Sequence, residues 1–157
     1  MTDFVATQTG EDDPLLLDRQ VCFPLYAATN LLTRLYGPVL AKLGLTYPQY
    51  LVMLVLWEHR VQSVGELGAR LHLDSGTLTP LLKRMETAGL LTRTRDPADE
   101  RRVLVALTAA GKALREPALQ VPETMANGYR PGELDTLRES VRQLVATLAQ
   151  HRSAPTG

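Results

Sequence analysis

One thiol is available for redox chemistry in this chain: Cys22 is the single cysteine among 157 residues. A thiol reacts as its thiolate, which a helix N-terminus, a nearby cation or hydrogen-bond donors favour. No lysine or arginine lies nearer in sequence than Arg19. Pro24 follows two residues later, and proline either occupies a helix's first turn or kinks the helix. Cys22 therefore stands beside a helix start, where the positive end of the helix dipole would meet its sulfur, or beside a kink. Tyr26 and Tyr36 offer phenolic donors. From the residues alone, a lone cysteine in an apolar segment also reads as an inert core residue, and the two tyrosines as packing.

A second group of residues suits nucleic acid. Ser75, Thr77 and Thr79 are short hydrogen-bonding side chains, followed by Pro80 and, about two turns on, by Lys83 and Arg84. Short hydroxyls reach base edges or phosphates without crowding a groove, and the two cations suit the phosphate backbone. Arg93, Arg95, Arg101 and Arg102 flank the acidic turn Asp96-Pro-Ala-Asp-Glu. An arginine-tipped ribbon fits a narrow minor groove. The acids would hold arginines in fixed rotamers by bidentate pairing, and Asp99 is assigned that wing-positioning role. Taken alone, the helix at Ser75 reads equally as an ordinary capped surface helix. The histidines His59, His72 and His151 are far apart, and no HExxH, C-x-x-C, P-loop or dinucleotide glycine pattern is present. No metal, cofactor or hydrolase triad is expected.

The elements that must position these residues follow from periodicity. Leu17, Val21, Leu25, Ala28, Leu32 and Leu35 form a helical stripe within Leu15–Leu43, closed by Gly44. Thr46 with Gln49, and Ser63 with Glu66, are capping boxes for helices running to Trp57 and Leu71. Asp74 and Ser75 open a helix that runs to about Ala88 and stops at Gly89, with Leu78, Leu81, Leu82 and Met85 facing inward. From Leu91 the period changes to two, and Val103–Leu107 is β-prone, which predicts a hairpin. Thr108 caps a further helix broken near Pro117 and Pro122, and Pro131–Ala149 forms the last, with Leu134, Leu137, Val141, Leu144 and Leu148 as its stripe. Two short helices followed at once by a β-ribbon describe a winged helix-turn-helix. The fold class is thus mainly α with a small β-hairpin wing. Residues 1–13 are read as a flexible acidic tail and 14–151 as one domain, with 152–157 as a second flexible tail. Within the domain, 14–43 and 108–151 supply dimerisation helices around the winged unit 46–107. The flanking stripes exceed what so small a core covers, so a second copy of the chain is expected to bury them.

These residues carry a family resemblance. Leu73-Asp-Ser-Gly-Thr-Leu-Thr-Pro-Leu-Leu-Lys-Arg-Met-Glu, then Gly89-Leu-Leu-Thr-Arg and Asp99-Glu-Arg-Arg, resemble the MarR family of bacterial transcription regulators. Val21-Cys-Phe-Pro-Leu-Tyr, Leu45-Thr-Tyr-Pro-Gln-Tyr-Leu and Leu56-Trp-Glu-His are similar to its organic hydroperoxide resistance regulators. The resemblance implies a homodimeric winged-helix repressor that releases a pseudo-palindromic DNA operator when an N-terminal cysteine is oxidised by an organic hydroperoxide. Carried over, the sensor is Cys22 and its tyrosine partners are Tyr26 and Tyr36. Some members have a second, resolving cysteine and this chain has none, so oxidation is expected to proceed to a mixed disulfide with a low-molecular-weight thiol, or to overoxidation.

Composition is compatible with that reading. The formal net charge is zero, but Asp3, Glu11, Asp12 and Asp13 stand unopposed in the first thirteen residues, leaving the body roughly four charges positive. One cysteine allows no intrachain disulfide and suits a reducing cytoplasm. No apolar run reaches the ~18 residues of a membrane span. The expected protein is a cytoplasmic DNA-binding repressor and not an enzyme. Two other readings stay open: a regulator released by a non-covalent small aromatic ligand, and a one-cysteine thiol peroxidase, against which the lack of a βαβ thioredoxin pattern argues.

Overall fold

The computed structural model describes residues 13–152; most of the expected tails at 1–13 and 152–157 lie outside them. A short 3-10 turn at Leu17–Arg19 precedes α1, Cys22–Ala41. Pro24 is the third residue of α1, where a missing N–H has no intrahelical acceptor, so it starts the helix and does not kink it. The helix closes in a Schellman motif. Leu45 N–H bonds to the Leu40 carbonyl (3.0 Å) and Gly44 N–H to that of Ala41 (3.1 Å), with Gly44 at φ 68°.

Helix α2, Tyr47–His59, starts at the Thr46–Gln49 capping box, and α3, Val64–Leu71, at the Ser63–Glu66 box. Asp74 caps α4, Ser75–Thr87, by accepting the Thr77 N–H at 2.8 Å. Gly89, at φ 77°, ends it. Strands β2, Leu91–Asp96, and β3, Asp99–Leu107, form the expected hairpin, in one register from Leu91 opposite Leu107 to Arg95 opposite Val103, after which the register shifts and Asp96 pairs with Asp99.

The hairpin is part of a three-stranded sheet in the order β1-β3-β2, because Val61–Ser63 pairs antiparallel with β3 as β1. Three residues are too few to show a period of two, and Ser63 is already committed as a helix cap, so this strand is invisible to pattern reading. Beyond Thr108 the proline-rich stretch becomes three short helices, α5 Ala109–Ala113, α6 Arg115–Ala118 and α7 Val121–Ala126, before α8, Glu133–Arg152. The last helix extends through Arg152, one residue into the segment expected to be loose.

The core gathers where α2, α3, α4 and the sheet meet. Met53, Leu56, Leu67, Leu78, Leu82, Met85, Leu91 and Val105 are fully buried there. The long end helices behave differently: α8 buries no residue, and Leu31 and Leu35 of α1 stay exposed. Trp57 ties α2 to α5 by donating its indole N–H to the Gly111 carbonyl at 3.0 Å.

Candidate nucleic-acid interface and thiol site

Helices α3 and α4 with the turn between them form the helix-turn-helix. Leu78, Leu81, Leu82 and Met85 anchor α4 inward, which leaves Ser75, Thr77, Thr79, Pro80, Lys83 and Arg84 exposed on its other faces. Pro80 lies inside α4 and has no N–H to give the Gly76 carbonyl, so that acceptor at the helix's leading end lacks its helical donor. The side chains of Lys83 and Arg84 have no ion pair or hydrogen bond among the described residues.

The four wing arginines separate by partner. Arg93 lies largely inside: its Nη2 donates to Glu86 Oε1 at 3.2 Å and its backbone N–H to Glu86 Oε2 at 2.9 Å. Its Nε is buried without a hydrogen-bond partner. Arg102 reaches Asp96 of the wing and Glu66 of α3, both at 3.4 Å. Arg95 donates to the Glu100 carbonyl at 2.7 Å. Arg101 is 91% exposed and is held by Asp99 through both carboxylate oxygens, at 3.1 and 3.4 Å. The hydrogen bonds from Arg93 and Arg101 hold the Glu86 and Asp99 carboxyls below their ordinary pKa values. Glu66 is lowered chiefly by the Ser63 backbone and hydroxyl, with a smaller contribution from Arg102. Asp74 is lowered by its bond from Thr77.

Each helix of the helix-turn-helix is therefore tied to one wing strand, α4 to β2 by Glu86–Arg93 and α3 to β3 by Glu66–Arg102. Sequence reading placed Arg93 and Arg102 at the DNA and missed Glu66 and Glu86 as tethers. Glu66 was legible only as a capping residue. Glu86 and Arg93 are seven residues apart across a helix–strand boundary, a spacing that no single period relates.

Cys22 is exposed and is the first residue of α1. Tyr26, one turn on, is 68% exposed. Tyr36 belongs to the same unbroken helix, fourteen residues from Cys22, and so lies ~21 Å along the axis yet within about 40° of its face. One chain does not bring them together. Tyr36 packs on Tyr47 (ring centroids 5.3 Å apart), and Tyr47 on Tyr50 (6.2 Å). Burial, then the neighbouring Tyr47 and Tyr50, push the Tyr36 phenol up. Among the described residues no three His, Cys, Asp or Glu side chains gather as a metal site, and no helix is long and apolar enough to cross a membrane.

Comparison with known proteins places this geometry. Residues 34–116 match the family model of the transcriptional regulator SarA/Rot. The chain is 48% identical over 140 residues to the organic hydroperoxide resistance transcriptional regulator of Bacillus subtilis, covering 88% of this chain and 95% of that one. AbfR of Staphylococcus epidermidis has been solved bound to DNA in its reduced form (TM-score 0.70, 35% identity, 85% of this chain and 94% of that one) and its overoxidized form (TM-score 0.69, 36% identity, 84% and 94%). A MarR mutant from E. coli complexed with operator DNA superposes with TM-score 0.68 at 25% identity, over 77% of this chain and 90% of that one. With its helix-turn-helix, tethered wing and N-terminal thiol, the chain belongs to the MarR family of winged-helix transcription regulators, among the organic hydroperoxide resistance regulators.

Proposed function

We propose that this chain is a homodimeric, cytoplasmic repressor that leaves a pseudo-palindromic operator when an organic hydroperoxide oxidises Cys22. The observation that carries the reading is an exposed thiol on the first residue of α1, in a chain so similar to a hydroperoxide resistance regulator. The Cys22 thiolate attacks a peroxide oxygen. An S–O bond forms as the O–O bond breaks, and the departing alkoxide takes a proton to leave as the alcohol, which gives a sulfenic acid. With no other cysteine in the chain, a small thiol condenses with the sulfenic acid, releasing water and leaving a mixed disulfide. The reaction is stoichiometric, a switch and not a turnover.

DNA is contacted by Ser75, Thr77, Thr79 and Pro80 at the leading end of α4, by Lys83 and Arg84 behind them, and by Arg95 and Arg101 at the wing. Arg93 and Arg102 set the wing's position. Antiparallel α1 helices of two subunits would bring Tyr36, and Tyr26, of one subunit to Cys22 of the other, where phenolic donors favour the thiolate. The test is operator binding with and without one equivalent of cumene hydroperoxide, alongside mass spectrometry of Cys22. Cys22→Ser is expected to bind operator as the parent does and to stay bound on peroxide addition. Tyr36→Phe is expected to slow Cys22 alkylation at neutral pH. Peroxide-driven release by Cys22→Ser would eliminate the covalent mechanism.

A further inference from the structure

A cleft of about 490 Å³ opens at the base of the wing, between the end of α2, the outer edge of the sheet and α5–α6. Its walls include Trp57, Val61 and Leu107, and three cations line it: Arg60, Lys112 and Arg115. The side chains of all three have no ion pair or hydrogen bond among the described residues. This contrasts with the wing, where every arginine has a protein partner.

The cleft is remote from the DNA-reading end. Leu107 lies eight residues from Asp99 along β3, about 26 Å at ~3.3 Å per residue, so the wing tip and this cleft are at opposite ends of the ribbon. Arg60 is also held at φ 62° and ψ −60°. That is a strained γ-turn-like conformation outside the ordinary left-handed region, whereas His72, at φ 53° and ψ 39°, lies within it. A glycine would occupy the Arg60 position with less strain. What the chain has there instead is an arginine that lines the cleft.

We propose that this cleft is a binding site for a small organic phosphate monoester. Two guanidiniums and an ammonium match a dianionic head with three acceptor oxygens, where a monocarboxylate would leave positive charge unopposed. The indole face of Trp57, with Val61 and Leu107, takes an aromatic or aliphatic body. Occupancy joins α2, the sheet and α5–α6 through one ligand, independently of Cys22.

Trp57 is the chain's single tryptophan and lines both this cleft and a neighbouring groove with Tyr50, Glu58 and Arg115. Its fluorescence therefore reports on a bound ligand, and the Arg60 variant, which alters this cleft and not that groove, assigns the response. The experiment titrates reduced full-length protein with phenyl phosphate at pH 7.5 and 150 mM salt, with benzoate and inorganic phosphate in parallel, and records thermal melts of each variant. Expected are saturable quenching at one ligand per chain, an affinity at least tenfold above both benzoate and inorganic phosphate, and a tenfold or greater loss in both Arg60→Gly and the Lys112→Ala/Arg115→Ala pair. Arg60→Gly is expected to melt no lower than the parent, because its backbone strain is relieved, which separates lost binding from lost folding. A linear, unsaturable response, equal affinity for benzoate, or unchanged binding in the folded variants would overturn the proposal.

Discussion

Arg93 and Arg101 stand on neighbouring strands and differ in what surrounds them. The Arg93 side chain is 23% exposed and paired with Glu86; that of Arg101 is 91% exposed at the wing tip and oriented by Asp99. A cation that meets a phosphate releases counterions, so its removal flattens the dependence of log affinity on log salt by about 0.9 per contact, ~1.8 if both subunits use it. Arg101→Ala is therefore expected to flatten the salt dependence of operator binding by that amount without lowering the melting temperature. Arg93→Ala should do the reverse, lowering the melting temperature and leaving the slope unchanged, because it removes a tether. Salt-titrated operator binding beside thermal melts makes the comparison. Equal loss of slope in the two variants would return Arg93 to the DNA.

At the scale of elements, the tethers make the reading head depend on ionised carboxylates. Glu66 and Glu86 are held below their ordinary pKa of 4.5, and Asp74 and Asp99 below 3.8. A group whose folded pKa is depressed contributes stability that is fully present above its unfolded value and is lost as pH falls through its folded value. Thermal melts across pH 3 to 7 are expected to show the parent constant near neutrality and losing stability once pH drops below about 4.5. Glu86→Gln and Glu66→Gln should melt lower than the parent at pH 7 and lose less on acidification, so that the curves converge at low pH. Parallel curves would show that neither pairing supports the head. The same tethers couple the wing to α3 and α4, so a rotation of the helix-turn-helix carries the ribbon with it. Trp57 and Thr108 extend the connection: Trp57 bonds to the Gly111 carbonyl, and the Thr108 hydroxyl bonds to the Gly89 carbonyl at 2.6 Å, at the end of α4.

At the scale of the whole molecule, one chain leaves too much apolar surface uncovered. Leu31 and Leu35 of α1 and Leu137 and Val141 of α8 remain exposed around a groove of about 810 Å³ between α1 and α7–α8, and Leu148 is exposed farther along α8. Moving one such side chain from water into an interface stabilises it by about 1.5–3 kcal/mol, roughly ten- to a hundredfold in a dissociation constant. Leu137→Glu and Val141→Glu are each expected to weaken the dimer by at least tenfold in sedimentation at micromolar concentration. Operator affinity should fall with it, because paired half-sites need both heads. A dimer unchanged in both variants would place the interface elsewhere. The expected Cys22–Tyr36 pairing belongs to this scale too, since a continuous α1 separates the two within a chain.

Where local chemistry decides the outcome, the sequence alone was sufficient. The capping boxes at Thr46 and Ser63, the Asp74 cap, the glycines after α1 and α4 and the alternation at Leu91–Arg95 each settle a boundary through contacts a few residues apart. They determined the order of the long helices, the helix-turn-helix and the hairpin, while the family followed from the resemblance of the stretches around Cys22, Ser75 and Asp99. Pro24 was ambiguous until α1 had a start, because the same ring begins one helix and breaks another. Strand β1 exists only because β3 offers it an edge. The partners of Arg93 and Arg102, and the meeting of Arg60, Lys112 and Arg115 around one cleft, required tertiary structure. A long, flexible cation carries no periodicity. Which anion it meets is decided by the packing of whole elements, after the local signals have been spent.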